Sequence, residues 1–455
     1  MSASRYSVRV LLALAWPVVL ARSAQAVIGF SDASMSAPLG EVALAAVTTG
    51  SINAYTLAIF PMGIAFVVQS FASQLSGRGD LVSARRYAWY GLLLSLIFGA
   101  LAVLAIPLID PTLALFPFSS AVRAAMTDYL SIRMFAVAGL VGTEALGNWY
   151  AGLGDTRPHM IAALLQMALN VLLNWVLIYG NLGAPAMGVA GAAWASVIAT
   201  WVGFLLLAGL FAARWGYRAQ VDRLGLKLRE FLRLLRFGVP NGVNWFLEFI
   251  AFWLFINLVV ADLGTVVLAA MMTVVQINSV AFMPAFGLAS AGAVLAGTAI
   301  GRDERDEVPA IVRRTALVAA CWQGGVGLLY LAIPTTLIAI FEPPSGGSAQ
   351  FLEVGATLVA VSAAWQLFDA LQMTLSEALR AAGDTAWTMW GRLVMAWTLF
   401  VPAALVGVRL FDGGPVWAMC SIILYMAALA GAFLWRFRSG RWRSIDLTGD
   451  AAVIS

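Results

Sequence analysis

The stretch RWGYRAQVDRLGLKLREFLRLLR, Arg214–Arg236, decides how the chain is read. It is the longest strongly charged segment between two blocks of apolar sequence, and it cuts the 455 residues nearly in half. Leu228, Phe231, Leu232 and Leu235 follow i, i+3, i+4, i+7 spacing, with Lys227, Arg229, Glu230, Arg233 and Arg236 between them. That is the pattern of a helix lying on a membrane surface. A solvated loop that merely supplies positive charge accounts for the arginines but less well for the leucine spacing. The segment is expected to be a cytoplasmic connector, 214–236, between two halves.

Working outward, 62% hydrophobic and 11% charged residues with a mean hydropathy of +0.88 are far too apolar for a soluble domain, where charged residues alone make up about 25%. The chain reads as a polytopic membrane protein. Its net charge of +4 does not point to nucleic acid, because the arginines sit at helix ends rather than on one basic face interleaved with aromatics. Cys321 and Cys420 fall inside apolar spans, which suggests neither a disulfide framework nor a metal cluster. Arg5, Arg9, the run Leu11 to Leu20 and Ala24-Gln25-Ala26 imitate a signal peptide. Pro17 and Arg22 sit awkwardly in it and the segment has a counterpart in the second half, so it is expected to be a retained first span.

Windows of roughly 20 apolar residues, enough to cross ~30 Å of hydrocarbon, fall near 9–32, 45–72, 88–109, 130–153, 159–180 and 187–213, then 237–260, 266–299, 315–341, 351–379, 388–411 and 415–436. The expected fold is therefore all-α, with twelve transmembrane helices in two pseudo-symmetric six-helix lobes. The lobes are 1–213 and 237–440, followed by a tail at 441–455. Arg5, Arg9, Arg78, Arg85, Arg86, Arg157, the connector, Arg302, Arg305, Arg313, Arg314, Arg392 and the arginines from Arg436 to Arg443 all fall on one side. The positive-inside rule makes that side the cytoplasm, with both termini there and the chain in the plasma (inner) membrane. The opposite loops at 36–44, 181–186, 261–265 and 343–350 carry no Lys or Arg, and only Arg123, Arg133 and Arg409 dissent.

The halves align with each other. Pro17 lies over Pro240, Leu39-Gly40 over Leu263-Gly264, Pro61 over Pro284, and Gly154-Asp155-Thr156 over Gly383-Asp384-Thr385. Six-span repeats that both begin in the cytoplasm are parallel, which places a transporter's site in the cleft between two lobes.

A charge at the bilayer centre costs ~2.5–3.5 kcal/mol, so intramembrane ionisable residues are functional candidates. Here they are Arg22, Asp32, Glu144, Glu248, Asp369 and Glu377. Glu248 lies near the midplane of its span, with Asn241 and Asn244 on the same face. Asp369 has Ser362, Trp365, Gln366, Gln372 and Ser376 at helical spacing. This pair of acids makes a cation or proton site, against the alternative of a polar helix interface. Asp32 is matched by Gln25 on its own helix, by Gln166, Asn170 and Asn174 on the fifth, and by Thr49, Asn53 and Thr56 on the second, and Ser196 on the sixth could join. Amide and hydroxyl oxygens around one carboxylate suit Na⁺ as well as a proton-linked network, and they are also ordinary interhelical glue. Trp245, Phe252, Trp365 and Phe368 flank the second-half acids, where an organic cation could meet aromatic faces. Packing is the commoner use of such residues. Gln276 and Gln366 complete the candidate cleft residues, and Arg22 is expected to pair with Glu144.

Lys227 is the only lysine and is not in a Walker A loop, so no ATP-driven motor is expected. His159 is the only histidine, which rules out a two-His metalloprotease motif. No cofactor is expected beyond a coupling ion.

The strings GFSDASMSAPLG (29–40), GNWYAGLGDTRP (147–158), NVLLNWVLIYG (170–180), GVAGAAWAS (188–196), FLEF (246–249) and FDALQMTLSEALRAAGDT (368–385) resemble the multidrug and toxic compound extrusion (MATE) family over nearly the whole chain. The resemblance implies a transporter whose two lobes form a V-shaped cleft; the chain is expected to be a monomer and not an enzyme. It further implies antiport of amphipathic, usually cationic small molecules against Na⁺ or H⁺. By it, Asp32 matches the first-helix acid and Asn170 and Asn174 its partners, so these three are the candidate Na⁺ ligands. Glu248 and Asp369 match acids of the NorM-like branch. Arg22 and Glu377 depart from the pattern. A lipid-linked sugar flippase of related fold, which would need a more cationic cleft, and a membrane-embedded enzyme are the alternatives.

Overall fold

The computed structural model describes residues 5–216, 225–341 and 349–449. Part of the expected connector (217–224) and most of the 343–350 loop lie outside the described residues. Among the described residues, eleven helices are long and apolar enough to cross a membrane, and a pair bent by 47° makes up to twelve spans. In the first half these are α1 (Val8–Leu39), α2 (Glu41–Gly77), α3 (Leu81–Leu104), α4 (Ser120–Gly152), α5 (Arg157–Tyr179) and α6 (Gly188–Ala212). In the second half they are α7 (Leu228–Leu263), α8 (Thr265–Gly301), α9 (Arg305–Ala332), α10 (Ala349–Ser362 with Trp365–Ala382), α11 (Thr385–Arg409) and α12 (Gly414–Arg438). Each expected window has its helix. The ninth ends early, at Ala332, because Pro334 opens a separate short helix, Pro334–Ala339.

Small residues let neighbouring spans approach while large apolar ones face outward. Leu96, Leu101 and Leu104 of α3 are exposed, as lipid-facing side chains should be. A Cβ on Gly91 would come within 2.7 Å of the Ala145 Cβ, and one on Gly99 within 2.5 Å of that of Ala138, so glycine sets the spacing of α3 and α4. Pro17, Pro61, Pro240 and Pro284 all lie inside helices, at equivalent places in α1, α2, α7 and α8.

The chain forms two compact units, Pro17–Gly242 (the N-unit) and Met1–Trp16 with Val243–Ser455 (the C-unit). The cuts fall inside α1 and α7 rather than in the loops that suggested 1–213, 214–236, 237–440 and 441–455. Leu228–Phe255 is one continuous helix, so the amphipathic segment 228–236 forms the first turns of α7 and is not a separate surface helix. Glu230 anchors these turns in the N-unit by accepting hydrogen bonds from Arg86 (2.8 and 2.9 Å) and Tyr90 (2.8 Å). Before α1, the Tyr6 hydroxyl donates to Glu304 (2.5 Å) and Arg314 donates to the Tyr6 carbonyl (2.9 Å), which holds the N-terminal segment in the C-unit. The described part of the tail is packed too. Trp442 and Leu447 are buried, and Ile445 and Leu447 close against Gly383, whose φ of +93° favours glycine.

Candidate functional site

In the N-unit, α5 and α6 deliver side chains to one carboxylate on α1. Asn174 donates to Asp32 Oδ1 at 2.6 Å, Asn170 to the same oxygen at 3.1 Å, and Ser196 to Oδ2 at 3.0 Å. Asn170 and Asn174 are one turn apart and so share a helix face. Helix α6 can come this close because Gly191 stands where a Cβ would lie 2.5 Å from the Leu177 carbonyl oxygen of α5. Asp32, Asn170, Asn174 and Ser196 are all buried, and Asn174 Oδ1 has no hydrogen-bond partner among the described residues. One step along, Gln25 donates to Gln166 at 3.5 Å and Gln166 to Thr200 at 3.0 Å, a second polar tier. Asn53 is half-buried on α2. The donor set fits a hard cation. Both oxygens of Asp32, the Ser196 hydroxyl and the free Asn174 oxygen lie together, and turning the Asn170 amide would add another.

Arg22 and Glu144 do pair, at 2.6 Å, and Asn148 donates to the same Glu144 oxygen at 2.9 Å. Arg22 also lies over the ring of Phe66, 6.0 Å from its centroid. The one unpatterned cation of the N-unit is thus held by protein groups.

The C-unit cluster is built differently from the expected pair of acids. Asp369 takes hydrogen bonds from Gln323 of α9 and Gln372 of α10, both at 2.9 Å. Glu248 does not meet Asp369. It pairs with Arg392 of α11 at 2.7 Å, and the other end of that guanidinium donates to Gln372 (3.0 Å) and Ser376 (3.2 Å). Asn244, Glu248, Arg392, Trp397 and Tyr425 line a small pocket that opens to the outside of the unit. Gln323 Oε1 and Asn244 Oδ1 are buried without hydrogen-bond partners among the described residues. Glu377 is closed by an ion pair with Arg380.

Arg392 is therefore a buried part of the site, although its charge was first assigned to the cytoplasmic arginines. It lies seven residues after the start of α11, or roughly 10 Å along the axis, and the depth argument applied to Glu248 singles it out as well. Gln323, Trp397 and Tyr425 were also missed. Gln323 is legible as a lone amide in the apolar run of α9, but the two aromatics have no distinguishing pattern. Among the other candidates, Asn241 donates to the Gly63 carbonyl of the N-unit at 2.6 Å and does not join Glu248. Gln366 and Ser362 bond Asn278 (2.6 and 3.2 Å) at the break in α10. Phe252 and Trp365 pack on the apolar core of the C-unit, Trp245 is half-buried, and Gln276 is exposed.

Repeated six-helix halves, each with a buried carboxylate among amides, define a membrane transporter rather than an enzyme. The MatE family model matches residues 17–176 and again 242–405, once in each half, and the chain belongs to that family. Among curated relatives, the probable multidrug resistance protein NorM of Chromobacterium violaceum is 30% identical over 395 residues, covering 86% of this chain and 83% of that one. NorM of Pseudomonas putida is 28% identical, covering 98% and 96%. Solved structures agree on the fold. A MATE protein in its bent conformation matches with a TM-score of 0.87 at 21% identity, covering 95% of this chain and 96% of that one. A MOP superfamily transporter from Pyrococcus furiosus matches at 0.86 and 20%, covering 96% of each.

Proposed function

We propose that this protein is a secondary multidrug exporter that moves amphipathic, cationic small molecules out of the cell in antiport with Na⁺ or H⁺, by alternating access of its two lobes. It works as a monomer in the inner membrane, with both termini cytoplasmic and without ATP. One observation carries this reading. In each unit a buried carboxylate faces amides, and one of those amides keeps a buried oxygen without a hydrogen-bond partner, Asn174 Oδ1 beside Asp32 and Gln323 Oε1 beside Asp369. An orphaned buried acceptor next to an acid is the place where a cation, or the O–H of the protonated acid, completes the hydrogen bonding. Proton and cation then compete for one negative charge, and each stabilises a different arrangement of the transporter. The names of the relatives support drug efflux, and the carboxylates support cationic substrates over a sugar pyrophosphate.

Reconstituted vesicles loaded with a fluorescent organic cation test the proposal. A Na⁺ or H⁺ gradient should drive uphill transport in the wild type, and Asp32→Asn and Asp369→Asn should each reduce it by about tenfold or more with insertion unchanged. Equal transport with and without both gradients would defeat it.

A further inference from the structure

We propose that Arg392 is a tethered counter-cation that leaves the C-unit site with one net negative charge, so that the site selects singly charged cations over dications. The inference rests on the reading of this chain as a cation exporter. The two terminal nitrogens of the guanidinium are held by Glu248 and by Gln372 and Ser376, and the ring of Phe433 lies with its centroid 5.5 Å away. The Arg392 side chain is 10% exposed whereas that of Glu248 is 40% exposed, so of the two groups lining the pocket the acid is the more open. Asp369 connects to the same guanidinium through Gln372, which donates to the acid and accepts from Arg392. In the proton-free state that receives the substrate, two carboxylates and one guanidinium leave a single negative charge. The neighbouring Glu377–Arg380 pair adds none, and Trp397 and Tyr425 are neutral. A monocation entering beside Glu248 neutralises the cluster. A dication would leave a positive charge next to Arg392 in a partly dehydrated pocket, where like charges are weakly screened.

The test uses the detergent-solubilised full chain and two probes of nearly the same shape, 1-methyl-4-phenylpyridinium with one charge and methyl viologen with two. The wild type should bind the monocation about tenfold or more tightly than the dication. Arg392→Gln should move that ratio toward the dication by about tenfold, while Arg392→Lys should keep it. Glu248→Gln, which leaves no net charge, should weaken monocation binding by about tenfold, and Arg392→Gln combined with Glu248→Gln should restore the wild-type preference. A merely structural arginine could regain stability with the second neutral substitution, but its removal would not shift the ratio of monocation to dication binding. If Arg392→Gln alone does not fold, Glu248→Gln against the double variant decides: the first, with no net charge, should bind the monocation weakly and the second should regain the wild-type affinity and preference. A ratio unchanged by Arg392→Gln, or a double variant without the preference, overturns this inference while the exporter reading stands. Binding of neither probe by the wild type overturns both.

Discussion

Asp32 and Arg22 occupy one helix but meet opposite demands. Asp32 accepts hydrogen bonds from three neutral donors, Asn170, Asn174 and Ser196. Arg22 is neutralised by Glu144 and covered by Phe66, which reads as a structural bond inside the N-unit. Removing one partner of such a buried pair strands the other, at a cost of about 3 kcal/mol, whereas removing both charges together costs far less. Arg22→Gln should therefore lower the unfolding temperature of the solubilised protein, and Glu144→Gln in the same chain should recover much of the loss. Full stability of Arg22→Gln by itself would leave the pair without a structural role. Asp32→Asn should behave in the opposite way, with stability kept and transport lost, because an amide reproduces the carboxylate's size and not its charge.

The break in α10 and the seam between α5 and α6 show how elements place these residues. In α10 the regular ladder lapses at Ala363-Ala364, where short bonds run from Ala363 to the Ala360 carbonyl and from Ala364 to that of Val361. The Asn278, Ser362 and Gln366 side chains bond one another beside the break, and Asp369 follows one turn later. In α11 a π-helical turn at Ala396–Phe400 presents Ala396 and Trp397 to the pocket, one turn past Arg392. The seam is more exacting. Gly191→Ala would force α6 away from the Leu177 carbonyl and spread the cage around Asp32. Overpacking of this kind costs about 1–3 kcal/mol, so the variant should lose both thermal stability and transport. Gly209→Ala on the same helix has open space around it and should change neither. Parallel losses at both positions would show that the seam is not responsible, since alanine has the higher helix propensity at each.

At the scale of the whole molecule, the arginine asymmetry orients the chain. With the exposed Cys321 and Cys420 replaced, a single cysteine at Asn181 should react with an impermeant maleimide from outside intact cells, and one at Arg78 only after lysis. The reverse pattern would invert the topology. Span count, duplication and the positions of the acids were legible in the residues, because bilayer thickness and helix period act over one or two dozen neighbouring residues. The partners of those acids were legible only where spacing on one helix brought them together, as with Asn170 and Asn174. Helix packing alone joins Ser196 to Asp32 across 164 residues and Arg392 to Glu248 across 144. It also assigned the first turns of α1 and α7 to units that no loop marks. An apolar window looks the same whichever neighbour it buries against. The sequence by itself thus determined a duplicated twelve-span transporter with its acids in the membrane, and the tertiary structure decided which charges those acids keep.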